Sequence, residues 1–281
     1  MGDSARQGSI LVWMREFRMA QRICRAFQQD GAPAVWAASL PEAIAAVDRD
    51  FPVAVACTLL GHSPSLIDLE TLVAYQVLGH PFVTLPPLPV WALTADAGAY
   101  AREIEALGLP VHLIPLELGP GEVLGRMGPM LHEAQVGDLT SNRAGEVLLL
   151  MERPEEGGYL ARYFSARGLD VRVAQDPPEA LARLQRRTPA VLVCEDFTLR
   201  QEAGSALWGW LDRAGRTPPI ILITSDPEWL THVSLRAIPR NVITILTRPI
   251  QARALGAALR RLLRSAPAQA APAASVRTAV Q

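Results

Sequence analysis

Residues 177–196, PPEALARLQRRTPAVLVCED, repeat the pattern of residues 40–59, LPEAIAAVDRDFPVAVACTL, at an offset of 137 residues. The same offset holds outside this stretch. Its matches are Met14 with Met151, Arg25 with Arg162, Phe27 with Phe164, Gly31 with Gly168, Pro52 with Pro189 and Cys57 with Cys194. So many identities on one offset indicate an internal duplication, which a search for repeats should find before any other feature is interpreted. The chain is therefore expected to contain two copies of one fold.

Each copy has the same order of apolar runs and amphipathic stretches. The runs predicted as strands are SILVWM, AVW, VAVAC, VWALT and VHLI in the first copy, and EVLLLM, VRV, VLVC, IILIT and VITIL in the second. Short apolar runs that alternate with helices indicate a parallel sheet covered on both faces. Gly31 and Gly168 are expected to end the first helix of each copy. The pattern predicts an α/β fold with two tandem, doubly wound, five-stranded flavodoxin-like sheets.

The polar stretch QVGDLTSNRA separates the copies, and the end of the chain is rich in alanine and proline. We therefore predict a first domain over residues 8–134, a linker over 135–144 and a second domain over 145–265. Residues 266–281 have little to bury and are expected to be disordered, with a docking motif there as an alternative.

Composition excludes several classes of function. The formal net charge is -1 over 281 residues, and all 27 basic residues are arginine, so any mechanism that needs a lysine ammonium is excluded. Nucleic-acid binding is not favoured, because the arginines of the last predicted helix, residues 250–264, have no aromatic residues among them. The sequence contains no apolar stretch of the length that a membrane span needs, and a cytoplasmic protein is expected. No motif for a metal or cofactor is present, so none is predicted.

The second copy resembles the receiver domain of bacterial response regulators. The resemblance covers residues 145–265 and rests on VLLLMERPEEGGYLARYFSARGLDVRVA, PPEALARLQRRTPAVLVCED, PPIILITSD and ITILTRP, in that order. The first copy resembles the same family less closely. The resemblance implies the strand order 2-1-3-4-5, an acidic pair that holds Mg²⁺, an aspartate that accepts phosphoryl, a hydroxyl residue and a lysine before proline.

In the second copy, most of the positions that the resemblance assigns to phosphoryl transfer carry residues that differ from those of an active receiver. The acidic pair falls on Met151 and Glu152, followed by Arg153; the acceptor falls on Glu195, the hydroxyl residue is Thr224, and the lysine is replaced by Arg248. A thioether is a poor ligand for Mg²⁺, which prefers oxygen. The second copy is therefore expected to contain a degenerate phosphoacceptor pocket.

In the first copy the corresponding residues depart further from the family pattern. The vestigial pocket is predicted to contain Met14, Arg15, Thr58, Thr94 and Ile114. None of them is a carboxylate, so this copy has neither a nucleophile nor a metal cage at the expected positions. We expect it to be inert.

Two adjacent acids end the third strand of the second copy. Because side chains alternate along a strand, only one of Glu195 and Asp196 is expected to face the pocket, and the repeat offset selects Glu195. We expect Glu195 to pair with Arg248, which would place a permanent ion pair where a modified receiver carries charge. The alternatives are that Glu195 is solvated at the strand end, or that a shifted register makes Asp196 a residual acceptor.

Tryptophans supply the remaining prediction. Trp13, Trp36 and Trp91 fall in predicted strands and are expected in the core, whereas Trp208, Trp210 and Trp229 are candidates for an interface. Trp208 and Trp210 cannot share one helix face, so at least one of them should be partly exposed.

We expect a non-catalytic signalling adaptor of a two-component-type pathway, acting through a protein partner such as a kinase or another signalling protein. The two copies could also pair with each other about a pseudo-two-fold axis, or the chain could form a homodimer. The alternative functions are a response regulator with residual phosphoacceptor activity at Glu195 or Asp196, and an unrelated α/β enzyme that uses the strand ends.

Overall fold

The computed structural model describes residues 9–29, 31–59, 64–79, 83–118, 122–123, 125–127, 145–200, 202–214, 217–226 and 241–265. Its two main sheets each have five parallel strands. The first contains β1 (Ile10–Trp13), β2 (Ala34–Ala37), β3 (Ala54–Leu59), β5 (Val90–Thr94) and β6 (Val111–Pro115) in the order β2-β1-β3-β5-β6. The second contains β7 (Val147–Leu150), β8 (Val171–Ala174), β9 (Val191–Glu195), β10 (Ile220–Thr224) and β11 (Val242–Thr247) in the order β11-β10-β9-β7-β8. Both sheets have the receiver-like order 2-1-3-4-5, which confirms the predicted fold. A third sheet pairs two short strands, β4 (Val83–Thr84) and β12 (Ile250–Gln251).

Helices connect the strands. The first half contains α1 (Phe17–Gln29), α2 (Leu40–Asp50), α3 (Leu66–Leu78) and α4 (Ala97–Leu107). The second half contains α5 (Pro154–Ser165), α6 (Pro177–Arg186), α7 (Phe197–Arg200), α8 (Glu202–Arg213) and α9 (Ala252–Ser265). The predicted linker, residues 135–144, and the predicted tail, residues 266–281, lie outside the described residues.

The repeat extends to the hydrogen bonds that begin corresponding helices. Ser39 caps α2 by accepting from the backbone N–H of Glu42, and Asp176 caps α6 by accepting from that of Glu179. The side chain of each glutamate in turn accepts a hydrogen bond, Glu42 from the backbone N–H of Ala38 at 2.9 Å and Glu179 from that of Gln175 at 2.8 Å. Such reciprocal caps satisfy backbone donors that a helix leaves open at its start.

The ends of α1 and α5 are alike as well. Gly31 and Gly168 have φ values of 82° and 88°, in the left-handed region that glycine enters without steric cost. The next residues, Ala32 and Leu169, donate to the carbonyls of Phe27 and Phe164. These contacts turn the chain towards the edge strand of each sheet, as the sequence predicted.

Each sheet has an apolar layer on both faces. In the second half, Leu149 and Val193 pack with α5 and α9, whereas Leu148 and Cys194 pack with α6 and α8. The central strands β7, β9 and β10 are buried along their whole length. Polar groups that follow these strands therefore meet at one edge of the sheet, where the carboxyl ends of the strands lie.

The two halves contact each other through different elements. Residues 83–84 pair in parallel with residues 250–251, and the ring of Phe51 lies edge-to-face on those of Tyr159 and Tyr163, with centroid distances of 5.0 and 6.1 Å. Phe51, at the end of α2, corresponds to Thr188 in the repeat, and Tyr159 corresponds to Arg22. Corresponding residues of the two halves therefore do not meet each other, and the contact is heterologous. It is not the pseudo-two-fold pairing that the sequence left possible.

The predicted core tryptophans do not all lie in the core. Trp13 and Trp91 are buried, but Trp36 is 39% exposed. Trp36 lies on β2, which is an edge strand, so one flank of its side chain has no neighbouring strand. In the residues described here, no helix combines the length and apolarity that crossing a membrane would require.

Candidate functional site in the second half

The strands β7, β9, β10 and β11 end at a common level. Leu150 is in register with Cys194, Ile223 with Glu195 and Thr224 with Thr247. The residues at or just after these ends include Met151, Glu195, Thr224 and Arg248. The structure thus brings the second-half pocket residues of the sequence analysis to one edge of the sheet.

Arg248 is held between two buried carboxylates. Its Nη1 and Nη2 donate to the two oxygens of Glu156 at 2.9 and 2.7 Å, and its Nε donates to Oε1 of Glu195 at 2.8 Å. Nη2 also contacts Oε1 of Glu195. The side chains of Arg248, Glu156 and Glu195 are 19%, 1% and 4% exposed, so water screens these bonds little. The expected contact between Glu195 and Arg248 is present, and Glu156 extends it to a triad.

Glu195 has both carboxylate oxygens engaged. Oε1 accepts from Arg248, and Oε2 accepts from the backbone N–H of Glu152. Its own carbonyl accepts from the hydroxyl of Thr198 at 2.7 Å. These bonds fix the side chain and leave neither oxygen without a donor, so a solvated Glu195 at the strand end does not describe the arrangement.

Asp196 lies at the same edge. The hydroxyl of Thr224 donates to its Oδ2 at 2.6 Å and accepts from the backbone N–H of Asp226 at 3.0 Å. Alternation along the strand predicted that Asp196 would face away from the pocket residues, and this expectation was wrong. β9 ends at Glu195, so Asp196 is the first residue beyond the strand and alternation no longer directs it. Both acids therefore contact residues of the predicted pocket, Glu195 through Arg248 and Asp196 through Thr224.

Glu156 was not among the residues that the sequence analysis selected. It occupies the buried face of α5 together with Leu160, Tyr163 and Phe164, at spacings of four, seven and eight residues. An acid on the apolar stripe of an amphipathic helix needs a partner when it is buried. That conflict between position and polarity was the signal available in the sequence.

Burial and the oppositely charged partners shift the pKa values of Glu156 and Arg248 in opposite directions. Burial raises the pKa of Glu156, and the nearby charge of Glu195 raises it as well, while the hydrogen bonds and charge of Arg248 lower it; the net shift is upward. Burial alone would lower the pKa of Arg248, but its bonds to Glu156 and Glu195 outweigh this and raise it. Two carboxylates share one guanidinium, and Arg248 stays charged.

The remaining pocket residues of the second half do not join the triad through their side chains. Met151 is buried in the core, and Gly157 on α5 lies so close that an added Cβ would be 3.2 Å from its Cγ. The side chains of Glu152 and Arg153 are exposed at the start of α5, and the charge of Arg153 lowers the pKa of Glu156.

These donors do not fit the Mg²⁺ ion that the resemblance implies for an active receiver. Met151 offers a buried thioether where an oxygen ligand is needed, and Glu195 already binds Arg248 and the N–H of Glu152. Within the described residues, no group of three or more His, Cys, Asp or Glu side chains is arranged to hold a metal.

The corresponding edge of the first half lacks the triad. At the repeat positions of Glu156, Glu195 and Arg248 stand Met19, Thr58 and Ile114, and Leu59 stands at that of Asp196. Met14, Thr58, Thr94 and Ile114 are buried, while Arg15 is exposed. Thr94 retains one local bond, since its hydroxyl accepts from the N–H of Asp96 at 3.1 Å, as Thr224 accepts from Asp226.

The candidate interface tryptophans lie on α8 or outside the described residues. Trp208 is 9% exposed and packs in the core layer with α6, whereas Trp210 is partly buried at the edge of that layer. At least one tryptophan of this pair is thus partly exposed, as predicted. Trp229 lies outside the described residues.

Solved structures similar to this chain include response regulators and receiver domains. A CheY-like response regulator receiver domain protein from Methanospirillum hungatei JF-1 is 14% identical, over 46% of this chain and 98% of that chain, with a TM-score of 0.38. The PhyR stress response regulator is 20% identical, over 82% and 88% of the two chains, with a TM-score of 0.35. The C-terminus of E. coli RcsC, which contains a linker region and a phosphoreceiver domain, is 13% identical, over 94% and 96%, with a TM-score of 0.35. No protein-family model matches the chain, and no curated protein sequence matches it. The receiver-like fold of each half is read from the strand order of its own sheet.

Proposed function

We propose that the chain is a non-catalytic signalling adaptor in which two receiver-like halves act through protein–protein contacts. The observation that carries this proposal is the triad of Glu156, Arg248 and Glu195. A guanidinium and two carboxylates fill the edge of the sheet at which an active receiver would carry out phosphoryl transfer.

Phosphoryl transfer depends on positioning and on charge that is available when it is needed. It requires a carboxylate oxygen free to attack, a divalent ion bridging oxygens, and a cation where negative charge develops. Glu195 has no such oxygen, because Arg248 and the N–H of Glu152 bind both. Arg248 is likewise committed, since Glu156 binds it through both carboxylate oxygens. The triad thus imitates the charge of a modified receiver without being modified.

The first half supports the same proposal by a different route. It has Met19, Thr58 and Ile114 in place of the triad, so no carboxylate nucleophile stands at the acceptor position. A half that keeps the fold without this chemistry is suited to contact other surfaces. We expect the partner to be a kinase or another protein of a two-component-type pathway.

Incubation with acetyl phosphate and Mg²⁺, followed by intact-mass measurement, tests the proposal. We expect no mass increase of one phosphoryl group in the full chain. The sample should be measured before and after mild alkali, which releases acyl phosphates, so that a modified hydroxyl is told apart from a modified carboxylate. An alkali-labile phosphoryl adduct would contradict the adaptor proposal.

A second candidate function is a response regulator with residual acceptor activity, and Asp196 is the residue that favours it. Its carboxylate accepts a hydrogen bond from the hydroxyl of Thr224, which the resemblance identifies as the hydroxyl residue of the pocket. An alkali-labile adduct that disappears in Asp196→Asn but persists in Asp226→Asn would support this candidate.

A further inference from the structure

A row of four arginines follows the outer face of α1. Arg15, just before the helix, is followed by Arg18, Arg22 and Arg25 at spacings of three, four and three residues. All four are exposed, and they lie opposite the buried face formed by Ala20, Ile23 and Phe27. With a rise of about 1.5 Å per residue the row is roughly 15 Å long. It presents one line of positive charge on one side of the helix.

The row is not neutralised by neighbouring acids. Within the described part of the chain, none of these four arginines forms an ion pair, unlike Arg49 with Asp50 at 2.7 Å or Arg183 with Glu179 at 2.8 Å. α1 itself contains no acidic residue, and Glu16 lies off the row. Uncompensated charges of one sign on a helix repel one another, and a partner of opposite charge relieves that repulsion.

One position of the equivalent face in the second half lies in the contact between the halves. Helix α5 carries Tyr159 at the place of Arg22, and Tyr159 is buried against Phe51 of the first half. Glu152 and Glu155 stand at the places of Arg15 and Arg18. Glu152, Glu155 and Arg162 are exposed, so the contact uses this face of the second half only at Tyr159, whereas all four arginines of the first half are exposed.

An aromatic pair lies at the start of the row. The rings of Phe17 and Trp36 meet edge-to-face at 5.2 Å, and the indole N–H of Trp36 donates to the carbonyl of Met14 at 2.9 Å. Phe17 and Trp36 are 55% and 39% exposed. Because the rings are engaged with each other and the charges form one row rather than a groove, the surface is a poor platform for base stacking. It fits a helix with one row of acids and an apolar residue at its end.

We propose that this surface, Arg15, Arg18, Arg22 and Arg25 together with Phe17 and Trp36, binds an acidic amphipathic helix of a partner protein. The proposal rests on the proposed adaptor function, because it names the surface through which the inert first half acts. Its chemistry is charge pairing along the row, with the aromatic pair fixing the direction of the bound helix.

The test uses the full chain and a dye-labelled alanine-based helical peptide with glutamates spaced three, four and three residues apart and a leucine at one end. Fluorescence anisotropy should show binding that weakens as salt is added, since exposed charges are screened. Arg18→Glu/Arg22→Glu should weaken binding about tenfold or more, because two attractive pairs become repulsive. The same peptide with glutamine in place of glutamate should not bind.

The matched control is Arg253→Glu/Arg264→Glu on α9, which changes the net charge equally at two exposed positions. It should leave binding unchanged, and both variants should keep the circular dichroism of the wild type. A peptide with lysines in place of the glutamates should bind Arg18→Glu/Arg22→Glu more tightly than the wild type.

Equal loss in both double variants, absence of peptide binding, or tighter binding of a single-stranded oligonucleotide than of the peptide would each overturn the proposal. None of these outcomes affects the phosphoryl-transfer test, so a failure of this surface and a failure of the adaptor function are distinguishable.

Discussion

Glu156 and Arg248, 92 residues apart, meet through two parallel hydrogen bonds from Nη1 and Nη2 of the guanidinium to the two carboxylate oxygens. Glu156 comes from the first turn of α5, and Arg248 follows β11. Such a two-pronged contact fixes orientation as well as distance, which an ammonium group cannot do. Arg248, which stands where the resemblance to receiver domains implies a lysine, is therefore matched by the acid on α5.

Replacing Arg248 with methionine should destabilise the chain strongly. The change leaves Glu156 and Glu195 buried without their cation, and breaking a buried pair from one side costs about 3–5 kcal/mol. Urea unfolding at neutral pH, followed by circular dichroism, measures the loss. A loss no larger than that of Arg253→Met, an exposed arginine on α9, would show that the triad contributes little.

Replacing all three members of the triad together should restore much of that stability. Glu156→Leu/Glu195→Leu/Arg248→Met removes the charges and their desolvation penalty at once, and apolar replacement of buried ionic groups is often neutral or stabilising. The unfolding free energy of the triple variant should exceed that of Arg248→Met. A triple variant less stable than the single one would indicate that the loss comes from packing.

Glu156→Gln should change the pH dependence of stability. Burial raises the pKa of Glu156 in the folded chain, so the folded state holds this proton more tightly than the unfolded state. Above about pH 4 the unfolded chain loses the proton before the folded chain does, so the wild type loses stability as pH rises towards the raised pKa of Glu156. Glutamine does not titrate, so Glu156→Gln should not show this loss. Its free energy of unfolding should therefore rise relative to that of the wild type as pH increases. Urea unfolding across this range measures the difference, and the opposite slope would mean that Arg248 outweighs burial.

Thr224→Val and Thr94→Val form a matched pair across the repeat. Both remove a hydroxyl that accepts from a backbone N–H two residues later, but only Thr224 also donates to a buried carboxylate, Asp196. Thr224→Val should therefore cost about 1–3 kcal/mol more, the penalty for removing a partner from a buried polar group. Chemical unfolding of both variants gives the difference, and equal losses would argue against a significant bond to Asp196.

Phe51→Ala should weaken the contact between the halves. Phe51 is 3% exposed, and truncating a buried phenylalanine typically costs about 3–5 kcal/mol. Phe17→Ala, at a residue that is 55% exposed, should change stability by less than about 0.5 kcal/mol. Urea unfolding of the two variants tests this contrast. Similar effects would show that the ring of Phe51 does not stabilise the contact.

The fold could be predicted from the sequence because the same local signals occur in both copies of the repeat. Apolar runs marked the strands, and Gly31 and Gly168 marked the helix ends at matching places in the repeat. The contact of Glu195 with Arg248 could be predicted because the strand ends of a parallel sheet meet at one edge.

Other features depended on information that periodicity does not contain. Glu156 was missed because an acid in the first turn of a helix is usually explained by the helix dipole, although its place on the buried stripe required a cation. Asp196 was misplaced because the strand stops one residue earlier than alternation assumes. Trp36 was misplaced because each of the three tryptophans in predicted strands was expected in the core, although the expected strand order places the second strand at an edge.

The contact made by Phe51, Val83 and Leu85 with the second half also bears on how the chain is made. Translation proceeds from the N-terminus and domains generally fold as they emerge, so the residues that form this apolar surface are synthesised before residues 145–265. The second half would then fold in contact with this apolar surface of the first half. Exchanging the order of the halves in the gene would reverse that sequence of events and leave the earlier product with Tyr159 and Tyr163 uncovered on the ribosome.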